Sequence, residues 1–263
     1  MLCDKTNYLL DISYLNNVFI REYDISKANI NILFEKGIID REIYKYLYNA
    51  ERMVRQKYVG MLQKDDGVMK TLKSGIIEAK QKLFEANNIQ DHEVLSIKND
   101  AVFIINRKLQ YTKFGLVNFI NKNTYTSYYK IHHLEIYYYY NSVTKEESIE
   151  VKGISDRKIV LHEKFMLDFL KDLFYTIQVN GVEIAIRLLK DFYNQYISLS
   201  LDTGYYRNFN SDSMFHYKTI ISTGFYADSI NNNDIPLIDI GTNASILIEL
   251  QKILVSLYFS KNK

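Results

Sequence analysis

The sequence has one cysteine, one proline and no tryptophan among its 263 residues. Because Cys3 has no second thiol to pair with, an intramolecular disulfide is excluded, as are zinc sites built on paired thiolates. A reducing compartment fits this cysteine content. No window reaches the roughly 18 uncharged apolar residues of a membrane span. We therefore expect a cytoplasmic protein without a signal peptide or a membrane anchor.

A strong excess of charge of either sign is also missing. The chain carries 33 basic and 31 acidic side chains, for a formal charge of +2, with 47% hydrophobic residues. This composition is that of an ordinary globular protein and excludes general disorder. The length allows one large domain or two modest ones. Basic residues are concentrated in 41–82, a segment that contains ten Lys or Arg but only five Asp or Glu.

Apolar residues recur at helical spacing in several segments. The pattern predicts a helix that is capped by Ser26 and ends at Gly37. Further helices are predicted over residues 40–62, 68–87, 165–178, 182–196 and 244–259. The basic side chains of 40–62 lie mostly outside its apolar stripe.

Alternating apolar and polar residues predict strands. One or two strands are expected in 8–24, a hairpin in 94–105 with Asn99 and Asp100 at its tip, and further strands in 125–140 and 148–154. Strands and helices in this mixture predict an α+β fold.

Two aspartates stand at the ends of predicted strands. Asp24 follows the first strand region, and Asp100 lies in the hairpin turn. Two carboxylates on adjacent strand ends can hold a pair of magnesium ions about 3.5 to 4 Å apart, as in phosphoryl transfer. From spacing alone, the structural uses of Asp at helix N-termini and in turns are the favoured interpretation.

The surroundings of both aspartates resemble motifs of family B DNA polymerases. YDISKANINIL, residues 23–33, resembles the first palm motif, in which an Asp at a strand end precedes a turn into a helix. SIKNDAVFII, residues 96–105, is similar to the Asp-Thr-Asp-Ser hairpin of the third motif, with Asp100 matching its second Asp. The resemblance implies that Asp24 and Asp100 are catalytic and hold two Mg²⁺ ions.

Between these motifs, RMVRQKYVG (residues 52–60) has the Lys-x3-Asn-x3-Gly spacing of the family's fingers helix. Arg52 stands for the Lys and Gln56 for the Asn. The resemblance implies that Arg52, Gln56 and Lys57 bind the phosphates of an incoming nucleotide. The alternative is a solvated face of an amphipathic helix.

The resemblance also implies an architecture. EVKGISDRK, residues 150–158, is similar to the Lys-Gly-Ile segment at the family's palm and thumb junction. We expect a polymerase-like palm, an antiparallel sheet with helices on one face, over residues 1–158, with reduced fingers at about 34–66. A mostly helical thumb-like region and a C-terminal tail would follow over 159–263.

The sequence departs from the family at two places. Asn29 stands where the family has a Tyr that packs under the sugar of the nucleotide, which makes Asn29 the sugar-proximal position. Tyr137 to Tyr140 replace a lysine-rich strand that contacts the primer. Tyrosines in an alternating strand are expected to pack rather than to stack on bases.

The expected function is template-directed nucleotidyl transfer with primer-template nucleic acid, nucleoside triphosphates and Mg²⁺. Because the chain has no room for the family's amino-terminal and exonuclease domains, it would be a stripped polymerase core, one piece of a split enzyme that a second polypeptide completes, or a descendant with another use. One alternative is an inactive, polymerase-derived subunit that binds nucleic acid or serves in assembly. Another is a structural interaction protein in which the order of the motifs is a coincidence. Abundant Asn, Lys, Ile and Tyr are typical of AT-rich genomes such as those of many phages. A phage-encoded protein would be located in the cytoplasm of a bacterial host.

Overall fold

The computed structural model describes residues 7–8, 10–132, 134–153, 164–198, 200–201, 205 and 237–261. It is an α+β protein with an antiparallel sheet and helices, so the predicted class is confirmed. The chain forms two compact units, one of Met1–Ile12 with Val18–Tyr125 and one of Ser13–Asn17 with Thr126–Lys263. The predicted boundary between 158 and 159 lies outside the described residues.

The first unit contains a sheet with the strand order β1-β3-β4-β2-β6, and a short strand β5 also pairs with β6. Strand β4 pairs antiparallel with both β2 and β3. The long strands β2 and β6 continue into the second unit. The bounds are β1 Asn7–Tyr8, β2 Tyr14–Ile25, β3 Val94–Lys98, β4 Ala101–Ile105, β5 Lys113–Phe114 and β6 Val117–Ile131. The predicted hairpin of β3 and β4 is confirmed.

Helices cover one face of this sheet. They are α1 Ala28–Glu35, α2 Arg41–Asn49, α3 Arg52–Leu62 and α4 Asp66–Asn87, followed by a 3-10 turn at Asp91–Glu93. Helices α1 and α4 share a buried apolar core with the strands. Gly75 of α4 brings the two helices close together, because a Cβ there would overlap Ile32 of α1.

Two local predictions are wrong. Ser26 does not cap α1; the N-cap position is Lys27, which has a left-handed φ of 51° and makes no side-chain capping bond. The helix predicted over residues 40–62 is two helices, because Ala50 turns extended with a ψ of 160°. The break leaves α3 with Val59 as its buried residue, so α3 is largely exposed.

The second unit packs helices against strands β7 Leu134–Tyr140 and β8 Glu147–Lys152. A π-helical turn, Lys164–Phe169, leads into α5 Leu170–Val179, which is followed by α6 Val182–Ile197 and α7 Leu237–Lys261. The predicted helices in these regions are confirmed. Phe174 stacks on Tyr129 with ring centroids 4.4 Å apart.

The tyrosines of β7 differ in how deeply they are buried. Tyr137 and Tyr138 are fully buried and Tyr139 and Tyr140 are half-buried, so the prediction that these side chains pack is confirmed. Among the described residues, none of the helices combines the length and hydropathy that a membrane crossing needs.

Candidate active site

Asp24 and Asp100 lie at the ends of adjacent strands. Asp24 is opposite Ala101 in the antiparallel pair of β2 and β4, and Asp100 directly precedes that partner in the hairpin turn. The Ile25 N–H donates a hydrogen bond of 3.1 Å to the Asp100 carbonyl oxygen. The fold thus brings together two residues that are 76 positions apart in the sequence.

The alternation of side chains along β2 determines which face Asp24 occupies. Tyr23 and Ile25 are buried in the core under the helices. Since neighbouring residues of a strand point to opposite faces, Asp24 and Glu22 lie on the other face of the sheet. Phe103, which is opposite Glu22, shares that face. The carboxylates of Asp24 and Glu22 are therefore on the side of the sheet away from α1 and α4.

The Asp24 carboxyl has a raised pKa. Burial is the largest cause, and the negative charge of Asp100 is the second. Lys122 opposes both effects, while Glu22 adds to them. A nearby like charge disfavours the ionised form of a carboxyl group, which is the direction of this shift. The ionised form of Asp24 is thus held in an environment that a cation would stabilise.

Glu22 is a buried carboxyl group two residues before Asp24, at 3% exposure. Its Oε2 accepts hydrogen bonds from Asn123 Nδ2 at 2.9 Å and from the Tyr125 hydroxyl at 3.0 Å. Both donors come from β6, the neighbour of β2 in the sheet. Because these bonds satisfy the carboxylate, Glu22 fixes the part of β6 that faces the two aspartates.

A buried lysine supports the hairpin turn. Asn99 has a left-handed φ of 38°, which Asn tolerates better than most residues. Lys80 of α4 is only 2% exposed, and its Nζ donates a 2.9 Å hydrogen bond to the Asn99 carbonyl. This bond connects the core helix to the peptide that precedes Asp100.

The segment after Asp24 is held on both sides. The Ser26 N–H donates to the Asn118 carbonyl at 2.9 Å, and Lys27 Nζ donates to the Tyr48 carbonyl at 2.7 Å. Asn29, the predicted sugar-proximal residue, is half-buried in the first turn of α1. The turn from β2 into α1 is thereby fixed between the sheet and α2.

Arg52, Gln56 and Lys57 are exposed on α3. Within the described part of the chain, their side chains make no hydrogen bond or ion pair, either with the two aspartates or with other residues. Their neighbour Arg55 instead donates to the Ala50 carbonyl at the start of α3. The role of these three residues in binding phosphate stays a prediction.

A family model described as Bacteriophage PBS1 gene 130 protein matches residues 1–256. The chain belongs to this family. No curated protein matches it. The family's description contains no activity, so the chemistry of this gene 130 family member has to be inferred from its residues.

The donor set of the family member fits magnesium. Asp24 and Asp100 offer carboxylate oxygens, and magnesium is usually held by only one or two carboxylates together with water and substrate phosphates. The Asp24 side chain is 27% exposed, which leaves it accessible from solvent. Across the residues that the structure describes, no group of three or more His, Cys, Asp or Glu side chains is placed to hold a metal ion.

Sequence reasoning missed three charged residues of this site. The sequence could have indicated Glu22, because it lies two positions before Asp24 in a predicted strand and therefore shares the same face. The sequence could also have indicated Lys80, since it falls within the apolar stripe of α4. Nothing in the sequence indicated Lys122, because the register of β6 beside β2 cannot be predicted from local sequence. The segment at 150–158 that resembles the palm and thumb junction lies outside the described residues from position 154 onward.

Proposed function

We propose that this protein is a template-directed nucleotidyltransferase with a palm like that of family B DNA polymerases. The observation that carries the proposal is the pairing of Asp24 and Asp100 on adjacent strand ends, with the Ile25 N–H bonded to the Asp100 carbonyl. The Asp24 carboxylate lies on the sheet face away from α1 and α4, and its side chain is 27% exposed. The family is described as a bacteriophage gene product, which supports a phage origin and thus a bacterial host cytoplasm.

In this proposal Asp24 and Asp100 hold two Mg²⁺ ions. When bound, such ions lower the cost of the charge that develops on the attacking and leaving oxygens. The protein contributes the rigid placement of the two carboxylates. Glu22 fixes β6 beside them, and Lys80 fixes the hairpin turn. Arg52, Gln56 and Lys57 would contact nucleotide phosphates from the exposed side of α3.

A second candidate is a polymerase-derived subunit that binds nucleic acid without catalysing extension. It is favoured by Lys122, whose Nζ lies 4.0 Å from Asp24 Oδ2 and 3.9 Å from Glu22 Oε1. A lysine at this position already supplies positive charge to the site. The exposed basic side chains of α3 would then serve for binding only.

Primer extension separates the two candidates. The purified protein is incubated with a labelled primer-template, Mg²⁺ and either deoxy- or ribonucleotides, on DNA and on RNA templates. The enzyme is expected to extend the primer in one of these combinations and to stop when Mg²⁺ is withheld. Binding that weakens steeply with salt, without extension in any combination, would contradict the enzyme and support the binding subunit.

A further inference from the structure

Lys122 of β6 is a cationic side chain at the solvent edge of the aspartate site. Its side chain is 51% exposed, whereas those of Asp24 and Glu22 are 27% and 4% exposed. Its Nζ lies almost equally far from one oxygen of each carboxylate, at 4.0 and 3.9 Å. The ammonium group is thus more exposed than the two carboxyl groups and lies at a similar distance from both.

Neither contact is a hydrogen bond. A charge-assisted N–H···O⁻ bond spans about 2.7–2.9 Å, so Lys122 is attracted to the site by charge alone. Glu22 already accepts hydrogen bonds from Asn123 and Tyr125 and does not depend on this lysine for partners. Because the lysine stem is flexible, the ammonium can leave with little loss of packing.

A magnesium ion bound to Asp24 would repel this ammonium. Magnesium takes carboxylate oxygens at about 2.0–2.1 Å, so an ion on Oδ2 would come within a few ångströms of Nζ. Two cations at that separation repel each other, and the more mobile one moves away. Lys122 and a divalent cation therefore compete for the same negative charge.

We propose that Lys122 is an exchangeable counter-ion of Asp24 that lowers the affinity of the site for divalent cations and is displaced when they bind. The inference rests on the proposed function, since it requires that Asp24 and Asp100 hold metal. It goes further by making metal affinity adjustable. A site weakened in this way fills most readily when substrate phosphates arrive to share the cations.

Manganese titration tests the proposal without any assay of catalysis. Free Mn²⁺ is measured by electron paramagnetic resonance in the presence of the unmodified protein and of Lys122→Gln. The Kd of the Gln variant is expected to fall about three- to tenfold, because a neighbouring positive charge has been removed. Lys122→Arg keeps the charge and is expected to stay within about twofold of the unmodified protein. Lys113→Gln, at an exposed position of β5, is the matched control and should bind Mn²⁺ unchanged.

The possible outcomes separate the two claims. If the unmodified protein binds Mn²⁺ and Asp24→Asn loses it, an unchanged or weaker affinity in Lys122→Gln overturns the counter-ion role and leaves the metal site standing. If the unmodified protein and Lys122→Gln both bind no more Mn²⁺ than an Asp24→Asn, Asp100→Asn double variant, the metal site and the role of Lys122 are both overturned.

Discussion

Replacing either Asp24 or Asp100 by Asn is expected to lower primer extension at least about a thousandfold, which corresponds to roughly 4 kcal/mol of lost charge stabilisation in the transition state. Asn keeps the size of the side chain and one oxygen, but it lacks the negative charge that holds a divalent cation. The measurement is the single-turnover extension rate at saturating primer-template. Asp191→Asn, at an exposed position of α6, carries the same chemical change and should retain the rate of the unmodified protein.

Thermal stability shows whether such a loss comes from misfolding. The raised pKa of Asp24 means that the folded protein holds a proton there more tightly than the unfolded chain does. Stability from this group is present at low pH and is lost as pH rises through the raised pKa. Without added divalent ions, Asp24→Asn is therefore expected to melt at a higher temperature than the unmodified protein at pH 7, with the difference shrinking in acid. Lower melting at pH 7 would point to a structural role instead.

Gly75→Ala is expected to destabilise the first unit by about 1–3 kcal/mol, the usual cost of overpacking a core. The added Cβ would overlap Ile32 Cγ2, where α1 and α4 meet. A branched side chain on a buried helix cannot move away freely, so the helices have to separate. Because α4 carries Lys80, the separation would also disturb the hairpin turn at Asn99.

Gly60→Ala is the matched control, because Gly60 is also helical but exposed, with no atom near its missing Cβ. This change is expected to stabilise the protein by roughly 0.5–1 kcal/mol, the helix preference of Ala over Gly. Urea denaturation of both variants measures the difference. If Gly75→Ala proved as stable as Gly60→Ala, the close packing of α1 on α4 would be wrong.

Local pattern was enough to predict the elements that position the two aspartates. The alternation up to Asp24 and the polar Lys-Asn-Asp break inside an apolar run define β2 and the β3 and β4 hairpin. Asn99 is a residue type that tolerates a left-handed backbone, and it takes that conformation in the turn. These features depend only on near neighbours in the chain.

Other features could not be predicted from local pattern. The break between α2 and α3 occurs at Ala50. Because Ala has a high intrinsic preference for helix, its propensity does not predict a break at this position. The position of Lys122 requires the pairing of β6 beside β2, and that pairing joins distant segments. The side chains of Arg52 and Gln56 are exposed, and no contact of theirs fixes a role.

The central claim is that Asp24 and Asp100 share divalent cations. Anomalous diffraction from crystals of the protein grown with Mn²⁺ tests it directly, because the signal locates the ions themselves. We predict anomalous peaks within about 2.0–2.4 Å of carboxylate oxygens from both aspartates, the range expected for such a cation. Manganese bound only elsewhere, or the two carboxyl groups turned away from each other with no peak between them, would contradict the claim.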